Sequence, residues 1–106
     1  MRVKVSDNTT IEVKRTHVSS KLSDISNSMV TAVANKLHKS VDEVKNKSAV
    51  CLKATDGDVA EVIILADSKQ SLYDNVIDKL TTTEFYDASK NDVVVISNSE
   101  WLEIFK

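Results

Sequence analysis

The chain has 106 residues, of which 42% are hydrophobic and 28% charged, with a formal net charge of −2; this is the composition of a globular domain with one modest core. A single glycine and no proline exclude a Gly-rich phosphate loop, a dinucleotide fingerprint and a glycine-flanked nucleophilic serine. No apolar run approaches the roughly 18–20 residues that span a bilayer. The opening MRVKVSDNTT lacks a signal-peptide core, and the lone Cys51 allows no internal disulfide, so the expectation is a cytoplasmic protein with no membrane partner.

In chain order, RVKVSD and TTIEVKR alternate apolar and polar residues. With Asp7 and Asn8 between them, they predict an opening β-hairpin with one buried face. Leu22, Ile25, Met29, Val33 and Leu37 then recur at helical spacing, predicting an amphipathic helix over about 20–38. Ser26, Asn27 and Ser28 mark a local weak point in it. Ser40 stands three residues before Glu43, a capping-box spacing that starts a second, short helix near Val41.

AVCLKAT and VAEVIILAD follow as two β-rich runs around Asp56-Gly57, the strongest hairpin turn in the sequence. The near-continuous apolar run 62–65 reads as a strand covered on both faces. SKQSLYDNVIDKL is helical, with Leu72, Tyr73, Val76, Ile77 and Leu80 on one side and Ser68 as cap. TTTEFYDASKND reads as a polar connector and DVVVIS as a continuous apolar strand. Ser97 and Glu100 repeat the capping-box spacing before a last helix carrying Trp101, Leu102 and Phe105. The fold class is α+β: one domain over 1–106, with a mixed sheet and about four helices. Strands 59–66 and 92–97, with the helix between them, read as a βαβ unit.

Charge is unevenly distributed. Residues 1–53 hold ten Lys/Arg and five Asp/Glu, whereas residues 54–106 hold four and eleven. Folding together would mix the two signs; segregation would make a dipolar surface. The small, lysine- and aspartate-rich style is similar to that of bacteriophage-encoded chains, which would place the protein in a host cytoplasm.

Within 30–47, Ala34, Leu37, Ser40 and Val44 resemble a helix-turn-helix segment. A small residue lets two helices cross, apolar residues fill the angle, and a capped second helix follows. The hairpin over 48–66 would then stand where a wing does. The resemblance implies DNA contact through Lys36, Lys39, Lys45 and Lys47. His38 occupies the turn position usually held by glycine, and Asp42 and Glu43 would face phosphates. The same region is similar to the middle of acyl carrier proteins, but Asp56-Gly57-Asp58 supplies no hydroxyl for a prosthetic arm, which excludes that activity.

Other constellations are weak. Asp67-Ser68 and Ser97-Asn98-Ser99 end the two strands of the expected βαβ unit, where ligands collect in open sheets; helix capping also explains them. His17, His38 and Cys51 match no zinc spacing. Cys51 reads as a buried mid-strand hydrophobe, and Trp101 and Phe105 read as core. No set of residues supplies a nucleophile, a base and a charge stabiliser, so the expectation is a non-enzymatic protein without cofactor or metal. Its partner would be another protein, reached through Asp74, Asp78, Glu84, Asp87 and Asp92 with Phe85 and Tyr86 as anchor. Nucleic acid is the alternative partner, and a two-fold dimer is the expected form of any self-association.

Overall fold

A computed structural model describes residues 1–55 and 57–105, with the side chains of residues 15–17 outside the described set. His17's ring and the turn residue Asp56 therefore lie outside it. The strands are β1 (Arg2–Ser6), β2 (Thr9–Ser19), β3 (Ser48–Ala54), β4 (Val59–Ala66), β5 (Phe85–Asp87) and β6 (Asp92–Ser97). They form one mixed six-stranded sheet in the order β5-β1-β2-β3-β4-β6. The helices are α1 (Asn27–Leu37), α2 (Val41–Val44), α3 (Lys69–Leu72), α4 (Asp78–Thr82) and α5 (Asn98–Ile104), with a 3-10 turn at Leu22–Asp24. This is the α+β class.

Local chemistry sets the boundaries. The expected helix over 20–38 starts late because Ser26 caps it, its hydroxyl accepting from the Met29 N–H at 2.9 Å. Leu22 and Ile25 reach the core from the 3-10 turn instead. α1 ends at His38, whose φ of 56° is left-handed; the histidine adopts the conformation that glycine would hold in such a turn. The Ser40–Glu43 capping box is formed, and α2 is a single turn. Gly57 has φ 74°, which the β3–β4 hairpin requires.

The sheet separates two apolar clusters. The first joins Val3, Ile11, Val13, Val50, Leu52, Val62 and Ile64 to Leu72, Val76, Ile77 and Leu80, with Tyr86, Val93 and Val95 packed against it. Every strand contributes to it. The second joins Ala49, Cys51, Ile63, Leu65, Val94 and Ile96 to Leu22, Met29, Val30, Val33, Ala34 and Val44, with Trp101 and Ile104 at its margin. β3 and β4 are apolar on both sides because helices cover both sides of them. Among the described residues, Ser19 and Ser48 are the buried polar ones, and each hydroxyl donates to a backbone carbonyl at 2.7 Å, of Lys21 and Ser20 respectively.

The two strands expected to flank a parallel crossover are neighbours, but β4 and β6 run antiparallel. The reason is β5, a three-residue strand within the expected polar connector, which pairs parallel with β1. The chain leaves β4, crosses the first face as α3–α4, adds β5 beside β1, and returns to β4 as β6. Residues 88–91 join strands at opposite ends of the strand order. Five Cα steps reach at most about 18 Å, whereas five flat strand spacings need about 24 Å. The sheet therefore curls around the first cluster, and β6 touches β1.

The helix filling that concavity is not uniform. Between α3 and α4, Tyr73–Ile77 is π-helical, with the Asp78 N–H bonded to the Tyr73 carbonyl. Such bulges are rare and local. The segment carries Val76 and Ile77, both buried, and the Asn75 carbonyl accepts from the Tyr86 hydroxyl at 3.2 Å. No helix among the described residues is long and apolar enough to cross a membrane.

Candidate functional site

Among the described residues, the most exposed large apolar side chain, Leu102, lies on α5. Ser97 starts the helix: its hydroxyl accepts from the Glu100 N–H at 3.2 Å, and Glu100 Oε1 accepts from the Ser97 N–H at 3.0 Å. The second Glu100 oxygen pairs with Lys36 of α1 at 2.7 Å. The Asn98 N–H donates to the Asp58 carbonyl at 2.8 Å, tying the helix to the β3–β4 turn. The Lys36 ammonium, then the Ser97 amide, pull the Glu100 carboxyl down to about 2.

α5 is thus firmly placed, yet none of its residues is buried. Leu102 is 63% exposed and Phe105 40%. Trp101 stacks on Phe105 with ring centroids 4.8 Å apart, and its indole N–H donates to Glu61 Oε1 at 3.2 Å. A groove of about 360 Å³ runs along the Trp101 side, floored by Ala54, Val59 and Ala60. A second lies between α1 and α5, edged by Ala32, Lys36 and Ile104. The expectation that Phe105 is core is corrected here: the helix is amphipathic, but the sheet has room for only one side of it.

The expected protein-binding residues divide between surfaces. Asp74 and Asp78 are exposed on the α3–α4 run, and Asp74 accepts from the Gln70 amide at 3.0 Å. Glu84, Phe85 and Asp87 are exposed on or beside β5. Strand alternation splits the aromatic pair. Phe85 is 44% exposed, while Tyr86 turns onto the first cluster and accepts from the Asn91 amide at 2.6 Å. Burial pushes the Tyr86 phenol up, partly opposed by that bond. Asp92 stands apart from these, paired with Lys39 at 3.2 Å and Lys47 at 3.8 Å. The exposed Tyr73 and Leu102 were not singled out by the sequence, where they read as the apolar sides of their helices.

The four lysines of the helix-turn-helix resemblance are all engaged. Lys36 meets Glu100, Lys39 meets Asp92, Lys45 meets Asp42, and Lys47 meets Asp67 at 2.7 Å. The Lys47 bond holds the Asp67 carboxyl below the usual carboxylate range, and the same bond raises Lys47. The hairpin expected as a wing is interior: β3 and β4 are flanked by β2 and β6.

The small-ligand constellation also comes apart. Ser68 and Ser97 cap α3 and α5. Because β4 and β6 are antiparallel, Asp67 and Asn98 fall at opposite ends of the sheet. Cys51 is buried, and desolvation pushes its thiol up to about 12. Among the described residues, no group of three or more His, Cys, Asp or Glu is placed to hold a metal ion. Comparison with family models, with curated proteins and with solved structures finds no match to this chain.

Proposed function

We propose that this is a binding protein without enzymatic activity of its own, and that its partner is another protein docked on α5. One observation carries the reading: a rigidly capped helix presents Leu102 at 63% exposure, and Phe105 at 40%, beside the half-buried Trp101. An apolar, aromatic ridge with a groove on each side has the anatomy of an interface core, in which a few anchors supply most of the affinity. Glu61, Glu100 and Glu103 border it beside Lys53 and Lys36, so it would favour a partner whose rim carries both signs in complementary order. The phage-like composition supports a host protein as that partner and an inhibitory or modulating role.

DNA reading by the helix pair is the weaker alternative. Its four lysines are already neutralised and its second helix is one turn long.

The test is affinity capture from cytosol with the wild-type protein and with Leu102→Asp/Phe105→Asp, followed by reconstitution with the purified captured protein. The expected result is a stoichiometric complex that the double variant fails to form while melting at the wild-type temperature. Equal binding by both would overturn the assignment to α5, and no complex at low salt would overturn the function. Sedimentation of the isolated protein separates a second copy of the chain from a foreign partner.

A further inference from the structure

We propose that the helix-free part of the second sheet face, across β5, β1, β2 and Lys53 of β3, binds single-stranded nucleic acid, with a base stacked on Phe85 and phosphate held by Lys14 and Lys53. Alternation aims the side chains. Val3, Ile11 and Val13 point into the first cluster, so Arg2, Lys4, Glu12 and Lys14 point the other way. There Arg2, Glu12, Lys14, Lys53 and Phe85 are exposed and Lys4 is half-buried. The helices of the second cluster pack against β3, β4 and β6, and that cluster takes no residue from β1 or β5.

Register sets the order across this face. Phe85 lies beside Arg2, Arg2 beside Glu12, and Lys14 beside Lys53. Three strand spacings make it about 14 Å wide.

The cations here differ from those of the helix pair. Among the described residues, no carboxylate lies within 4.0 Å of Arg2, Lys4, Lys14 or Lys53, whereas Lys36, Lys39, Lys45 and Lys47 each have one. Of the neighbouring carboxylates, Glu12 pairs with the N-terminal ammonium at 2.8 Å. Asp87 and Glu61 accept from the neutral Ser89 hydroxyl at 2.6 Å and Trp101 indole at 3.2 Å and keep their charge, Asp87 acting at a distance on Lys4 and Glu61 lying beside Lys53 on β4. On the β2 side Lys14 and Lys53 face each other across adjacent strands as a like-charged pair, which disfavours the sheet. A bridging anion removes that repulsion.

Phe85 decides the class of anion. Its ring is 44% exposed on a solvent-facing strand, with the Arg2 guanidinium 5.8 Å from the centroid. An acidic peptide would use the cations and leave the ring idle. A nucleotide uses both, because every base has a face that stacks on an aromatic ring or a guanidinium. Among the described residues no helix or ribbon rises from this outer face to enter a duplex groove. The surface meets the α5 groove only at Lys53, which also lines it beside Trp101; Phe85 and Lys14 do not line that groove, so Phe85→Ala and Leu102→Asp/Phe105→Asp separate the two proposals.

Fluorescence anisotropy tests it, with labelled oligo(dT), the same oligonucleotide annealed to oligo(dA), and a polyglutamate peptide as probes. The expected result is preferential binding of oligo(dT) that weakens about tenfold between about 50 and 200 mM salt. Phe85→Ala should weaken it at least about fivefold. Lys14→Gln/Lys53→Gln should flatten the salt dependence while the melting temperature holds or rises, since the like-charged pair is gone. Lys36→Gln/Lys45→Gln should change nothing. Failure of oligo(dT) to bind at about 50 mM salt, binding indifferent to Phe85 and the lysine pair, or equal affinity for the duplex or the peptide would each overturn the proposal.

Discussion

Single side chains explain several departures from simple patterning. His38 occupies the left-handed turn after α1, a conformation that costs a non-glycine residue roughly 1 kcal/mol. His38→Gly should recover about 0.5–1 kcal/mol of stability, read as a higher urea midpoint at unchanged slope. Glu100 makes a linkage prediction. Its carboxyl titrates near 2 when folded, against an ordinary 4.5, so the ionised form favours the fold. That contribution is complete above about 4.5 and fades as the pH falls towards about 2. Urea midpoints measured across this window should decline less steeply in Glu100→Gln than in the wild type. Cys51 is sealed within the sheet with its thiol near 12. At pH ~8 a disulfide reagent should modify the folded protein at least about a thousandfold more slowly than the urea-unfolded chain.

Elements were legible where they carry their own start signals. Both Ser–Glu capping boxes, at Ser40 and Ser97, are formed, and each serine should cost about 1 kcal/mol when replaced by alanine, measured by thermal denaturation. The near-continuous apolar run 62–65 of β4 correctly announced a strand covered on both faces. β5 was illegible because three residues in a polar stretch carry no periodicity; only the bare edge of β1 makes them a strand. With β5 unseen, the antiparallel direction of β6 could not be read, and the two ends of the expected small-ligand site moved apart. The π segment is likewise invisible in sequence. Tyr86 is the side chain that reads it out, through the Asn75 carbonyl. Tyr86→Phe should lower stability by about 1–2 kcal/mol through its two hydrogen bonds.

At the scale of the molecule, part of the charge asymmetry between the halves is met by contact: Lys36, Lys39 and Lys47 of the first half pair with Glu100, Asp92 and Asp67 of the second. The exposed candidates for binding, the α5 ridge and the open sheet face, could not be seen in composition. They depend on which strands the helices leave uncovered. Both apolar clusters share one sheet, which couples them. Trp101 fluorescence, reporting the second cluster, and far-UV circular dichroism should therefore give coincident unfolding transitions.

The pairing of Arg2 with Phe85 has a consequence for how the protein is made. β1 must wait for β5, made about 80 residues later, before its outer hydrogen bonds are filled. A nascent chain stalled before residue 85 would carry β1 with a bare flank and a half-open cavity, a surface that invites other chains to pair with it. Closure of the fold thus waits on residues 85–87, and a chain released before them should yield aggregates rather than a smaller working protein.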